Sequence, residues 1–139
     1  MALEKTLKEN IYDALVADST YLGYLGTPTS APYRTYWTQP PEPPDLPQVE
    51  LRFLGATVRQ DEDRPFEIGD NILRVTIRTR DSACENIADR VIRILHHATA
   101  SGRSWRAVLS GRPGELRDTR TNSWIKVLQF QVFYNGATI

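Results

Sequence analysis

Residues able to do chemistry are few in this chain, and their spacing works against it. His96 and His97 are the only histidines. Adjacent on a predicted helix, their side chains diverge by about 100° and cannot both hold one ion from that helix. Cys84, the only cysteine, lies twelve residues before His96. By helical rise that is about 18 Å, too far for a thiolate–imidazole pair. The acidic trio Asp61, Glu62 and Asp63 offers oxygen ligands to a hard cation, but it lacks the glycine and terminal glutamate spacing of a calcium loop and reads as a solvated turn. A glycine-rich phosphate loop, a nucleophile elbow, an H-E-x-x-H helix and a dinucleotide fingerprint are all missing. The sequence therefore predicts no enzyme, with no catalytic residue, cofactor or metal.

Two polar groups remain to be explained. Arg74, Arg78 and Arg80 share one face of an alternating stretch, the start of a phosphate-binding surface. No aromatic residue interleaves with them, an acidic turn precedes them and the net charge is zero, so a solvated, internally paired or protein-contacting face explains them better than nucleic-acid binding. Arg117, Asp118, Arg120 and Asn122 form a polar hairpin end ahead of Trp124. Without a base or metal beside it, such an end suits contact with another protein.

The elements that must carry these groups follow from periodicity. Leu3, Leu7, Ile11, Ala14 and Leu15 recur at helical spacing and predict an amphipathic helix ending near Ala17. Ser19 is placed to cap a short further turn, and residues 33–37 form an aromatic strand. Residues 39–47 hold five of the nine prolines, which predicts a stiff extended connector. Val49, Leu51 and Phe53 alternate with Glu50 and Arg52, giving a half-buried strand that continues through Thr57 and Val58. Charged residues 60–69 form the tip of a long hairpin. Leu73, Val75, Ile77 and Thr79 then alternate with Arg74, Thr76, Arg78 and Arg80 in the returning strand.

Asp81 or Ser82, with Glu85, resembles a capping box opening a helix. Ile87, Ala88, Val91, Ile94, Leu95 and Ala98 form its sheet-facing stripe, and Cys84 falls on the same apolar side. Residues 105–109 and 115–121 read as shorter strands. Leu128, Phe130, Val132 and Tyr134 mark a long final strand, central to the sheet. The sum is an α+β fold: a single domain over residues 1–139, with a mixed, mostly antiparallel β-sheet and two main helices packed on it.

A chain of 139 residues suits one domain with its own core. One cysteine excludes an intramolecular disulfide framework and fits a reducing compartment. The first ten residues mix leucine with lysine and glutamate rather than forming a signal peptide, and no run has the length of a membrane span. The seventeen basic and seventeen acidic residues are unevenly divided. Residues 1–69 hold six Lys/Arg against eleven Asp/Glu and residues 70–139 hold eleven against six, so the halves carry −5 and +5. Such halves attract within one domain, or meet between neighbouring copies arranged head to tail.

Taken together, the pattern resembles the tail terminator, or tail-completion, proteins of long-tailed bacteriophages, which include tail-to-head joining proteins. The resemblance rests on Ile11-Tyr12-Asp13-Ala14-Leu15, the proline-rich approach to the strand at residues 49–53, and Leu73-Arg74-Val75-Thr76-Ile77 running into Glu85-Asn86-Ile87-Ala88-Asp89-Arg90-Val91. It closes with Thr119-Arg120 before the last hydrophobic strand. It implies a virion protein, assembled in the host cytoplasm, whose copies form a hexameric ring on the end of the tail tube. The ring ends tube polymerisation and presents a surface to the head–tail connector. Its partners would be other copies of the chain, the tail tube protein and the connector, with DNA only as the passing genome and no membrane.

Expected contact residues are Arg59, Asp61, Asp63, Arg64 and Glu67 at the hairpin tip, and Arg117 and Arg120 at the later hairpin. The alternative readings are another neck or tail component, such as a head-closure or minor tail protein, and a small ligand-binding domain or enzyme.

Overall fold

Alternation and helical spacing place nearly every element where the physics of burial requires it. The computed structural model describes residues 7–37, 46–54, 57–58, 68–69, 71–80, 84–96, 105–111, 116–120 and 122–134. Two helices, α1 (Leu7–Val16) and α2 (Ser19–Tyr24), precede the short strand β1 (Thr35–Trp37) and β2 (Gln48–Leu54). A two-residue pair, β3 (Thr57–Val58) and β4 (Ile68–Gly69), leads into β5 (Asn71–Thr79) and helix α3 (Cys84–Leu95). Strands β6 (Trp105–Gly111), β7 (Leu116–Asp118) and β8 (Ser123–Tyr134) complete the order.

The main sheet has six strands in the order β1-β2-β5-β8-β6, with β7 also pairing β8. Only β1 and β2 run parallel; the other pairs are antiparallel. As expected, β8 is central: it is paired to β5 along nine residues on one side and to β6 and β7 on the other. This is a mixed, mostly antiparallel α+β fold.

One face of the sheet is the core. Val49, Leu51, Leu73, Val75, Ile77, Leu128, Phe130 and Val132 are fully buried there, beneath Ile87, Ala88, Val91 and Leu95 of α3 and Ile11 and Leu15 of α1. Each large aliphatic side chain removed from water contributes roughly 1.5–3 kcal/mol. Cys84 belongs to the same buried cluster. Lys126 lies on this face as well, opposite Ile77. Its stem is buried and its Nζ reaches Glu85 Oε1 in the first turn of α3 at 2.8 Å, so a lysine sits in an apolar row without stranding its charge.

Several boundaries differ from the sequence reading. The strand at 49–53 does not continue through residue 58. It ends at Leu54, and Thr57–Val58 pairs with Ile68–Gly69 as a separate ladder at the base of the hairpin. The strand read at 115–121 is only Leu116–Asp118, because Asp118 Oδ1 accepts from the Arg120 amide and starts the turn. The cap of α2 is Asp18, whose Oδ1 accepts from the Tyr21 amide at 2.8 Å, rather than Ser19. Asp81, Ser82 and Ala98 lie outside the described residues.

Candidate functional site

Among the described residues, the helices cover one face of the sheet and none covers the other. On β2 that second face carries Glu50 and Arg52, on β5 Arg74, Thr76 and Arg78, and on β8 Val127, Gln129 and Gln131, all half-buried except the more exposed Arg52. The arginines are partly neutralised within the fold. Arg78 lies 3.5 Å from Asp118 Oδ2, and Arg52 lies 3.9 Å from Glu50. The Arg74 Nε and Gln48 Oε1 atoms are buried without a hydrogen-bond partner. This is a mixed polar face with its acids interspersed, and it lacks the uniform positive charge of a phosphate-tracking groove.

The β7–β8 hairpin is held from within. Arg117 donates to Asn122 Oδ1 at 2.6 Å, and its guanidinium stands 5.2 Å from the centre of the Trp124 ring. Asp118 accepts from the Arg120 amide at 3.0 Å and faces Arg78 across the sheet. Asn122 adopts φ 51°, a left-handed conformation that asparagine tolerates better than most residues. The hairpin's internal bonds leave two groups turned outward. Leu116 is 65% exposed, more than any other large hydrophobic residue among those described, and the Arg120 side chain is exposed.

Of the expected contact residues, the structure therefore brings Arg117 and Arg120 together on one hairpin. Arg59, Asp61, Asp63, Arg64 and Glu67 lie outside the described residues. Leu116 was not among the expected contacts. The available signal was an apolar residue isolated between Glu115 and Arg117 in a segment too short to bury it.

The remaining reactive side chains are built into the scaffold. Cys84 Sγ lies 3.0 Å from Thr79 Oγ1 and 3.3 Å from the Trp124 carbonyl oxygen, fully buried. His96 Nδ1 accepts from the Leu109 amide at 2.8 Å, fastening the end of α3 to β6. His97 lies outside the described residues. Among the described residues, no three His, Cys, Asp or Glu side chains converge as a metal site would require. No helix among them is long and apolar enough to cross a membrane.

A second polar centre joins the helices. Arg90 of α3 makes a bidentate pair with Asp18, Nη2 to Oδ2 at 2.6 Å and Nε to Oδ1 at 3.0 Å. The Arg90 hydrogen bonds, assisted by the Tyr21 amide, hold the Asp18 carboxyl below its ordinary range against the opposing effect of burial. Two open grooves of about 340 and 240 Å³ flank this pair, sharing Arg90 and Arg93. Below it, Tyr21 Oη and Thr35 Oγ1 meet at 2.7 Å, linking α2 to β1. Burial pushes the Tyr21 hydroxyl well above its ordinary pKa. These contacts anchor elements to one another.

Comparison with known proteins gives a fold and no family. No family model and no curated protein matches the sequence. Among solved structures, the chain is similar to a chain of the "Virion of native gene transfer agent (GTA) particle", with a TM-score of 0.66 and 19% sequence identity. The match covers 94% of this chain and 96% of that one. At that identity the likeness establishes a shared fold along nearly the whole length of both chains.

Proposed function

We propose that this chain is a structural protein of a phage-like virion, of the tail terminator type, acting by binding rather than catalysis. The observation that carries this reading is the near end-to-end match to a chain of the gene transfer agent virion. It agrees with the resemblance read from the first helix, the two β-hairpin strands and α3. The side-chain chemistry is consistent with the same role: Cys84, His96 and Asp18 are each engaged in holding the fold, while the most exposed large hydrophobic residue among those described, Leu116, lies on a short strand at the sheet edge.

In this role, copies of the chain form a hexameric ring on the head-proximal end of the tail tube. Capping replaces an edge that accepts another tube ring with one that only the head–tail connector accepts. The tube protein and the connector are the partners, the genome passes through the ring, and the protein resides in the tail or neck of the virion after assembly in the host cytoplasm.

The test is electron microscopy of particles made with this gene interrupted by a stop codon, scored for tail length and head attachment. Overlong tails without heads are the expected result. Normal-length tails detached from filled heads would move the protein to the head side of the neck, and intact particles would remove it from the virion altogether.

A further inference from the structure

The register of the sheet suggests how one copy meets the next. Sheet edges are ordinarily protected, because unpaired backbone groups recruit other strands. On the β8 side, β6 has such protection: the Leu109 amide donates to His96 Nδ1, and His96 forms a parallel bridge with Ala107. Beside β6 on that side lies β7, three residues that pair only with β8 among the described residues. At the opposite end of the sheet is β1, also three residues and paired only with β2 among the described residues.

These two short edges lie at the same level. Leu116 is in register with Ile125, Arg78 and Gln48 across the sheet. Tyr36 is in register with Glu50, Thr76 and Val127. On each shared strand the two rows are separated by two residues, so Leu116 and Tyr36 point to the same face, the one that carries no helix among the described residues. Two residues of strand rise amount to about 7 Å, within the diagonal reach of an aromatic side chain on a neighbouring strand. The directions also match. β7 runs antiparallel to β8, and through β8, β5 and β2 it is antiparallel to β1. Copies related by rotation about an axis along the strands would therefore join β7 to β1 as an antiparallel pair.

We propose that the β7 edge of one copy docks on the β1 edge of a second copy, extending the sheet and packing Leu116 against Tyr36. The sequence halves that hold the two edges carry opposite net charge, −5 for the half with β1 and +5 for the half with β7, so copies meeting head to tail bring unlike halves together. The internal bonds of the β7–β8 hairpin fix its shape before contact, which lowers the entropy cost of docking. The contact is heterologous, so repetition closes a ring or extends a filament. Closure as a ring rests on the tail terminator reading, whereas the edge match does not.

The full-length double variant Tyr36→Cys/Leu116→Cys, oxidised at the highest soluble concentration and run on a non-reducing gel, tests the contact. Cys84 is fully buried and stays silent. The expected result is a ladder extending past the dimer, with each single variant stopping at the dimer. Leu54→Cys/Leu116→Cys, which moves the first thiol to the far end of β2, should give no ladder. Absence of a ladder from the Tyr36/Leu116 pair, or an equal ladder from the Leu54 pair, would overturn the proposal. In sedimentation, Leu116→Asp should weaken self-association at least about tenfold with an unchanged circular dichroism melt; unchanged association would overturn it too. A ladder combined with normal tails in the stop-codon particles would sink only the terminator reading. Overlong headless tails with no ladder would sink only the contact.

Discussion

The Asp18–Arg90 centre and the β7–β8 hairpin are built from the same materials, arginine, aspartate and a turn, and are put to opposite uses. At the first, a residue between α1 and α2 is tied to α3 across 72 positions of sequence, and its carboxyl serves as helix cap and ion-pair partner at once. At the second, the ion pair and hydrogen bonds stay close to the hairpin: Arg117 turns to Asn122 and Trp124, and Asp118 to Arg120 and Arg78. One arrangement closes the helical layer over the core. The other stiffens an edge while leaving Leu116 and Arg120 outside. A polar cluster that clamps helices together over the core signals stability, and one whose bonds centre on its own hairpin around an exposed apolar residue, with Arg78 of β5 among its partners, signals a surface held ready.

The contrast predicts a ranking of mutational costs, with the layer beneath Asp18–Arg90 at the top. Val91→Asp places an unpaired carboxylate among Ile87, Leu95 and the buried strand residues. It should cost at least about 4 kcal/mol and appear as loss of soluble, cooperatively melting protein. A Val91→Asp variant that still melts cooperatively would mean that the helical layer does not close the core.

Next in size is Asp18. Replacing it with alanine removes the cap of α2, worth about 1 kcal/mol, and also the Arg90 partner. The pH dependence separates the two. A carboxyl held below its ordinary value contributes stability that is full above the unfolded-state pKa and is lost as pH falls through the lowered folded-state value. Melting temperature of the wild type should therefore decline through the acid range, and Asp18→Asn should flatten part of that decline while retaining much of the cap. Identical acid profiles would show that the ion pair contributes nothing to the folded state.

Below these comes the buried Tyr21–Thr35 bond. Tyr21→Phe leaves Thr35 Oγ1 with the Tyr33 carbonyl at 3.1 Å as a remaining partner, so the loss should be about 1 kcal/mol by chemical denaturation. A much larger cost would mean that the α2–β1 junction depends on this hydroxyl more than on packing.

How much of this was readable beforehand divides along the same line. The β5 and β8 strands and α3 were visible because period and burial coincide: Leu73, Val75 and Ile77 alternate, and Ile87, Val91 and Leu95 recur at helical spacing. Lys126 concealed two residues of the β8 core row, since nothing local announces that its ammonium will meet Glu85 across 41 positions. The Asp18–Arg90 pair was invisible for the same reason. Arg117 and Arg120 were recognisable as a polar hairpin end, but Leu116 was not recognisable as its exposed apolar member. Exposure depends on β7 being three residues long and, among the described residues, flanked by β8 alone, which is a property of the sheet rather than of the segment.

The smallest effect on stability is also the one that bears hardest on the comparison. Leu116→Asp changes a side chain that is already 65% exposed and touches none of the bonds that shape the hairpin. Its cost to the isolated chain should stay within about 0.5 kcal/mol, and Arg120→Glu should do no more, because the turn is held by the Arg120 amide rather than by its side chain. Both should nevertheless weaken association between copies, Leu116→Asp more than Arg120→Glu, since an apolar anchor at the centre of a contact outweighs a charge at its rim. Raised salt should narrow the difference between Arg120→Glu and wild type while leaving the Leu116→Asp defect in place. If Leu116→Asp instead lowered the melt by as much as Asp18→Ala, the leucine would belong to the fold, and the hairpin would be a second anchor like the first.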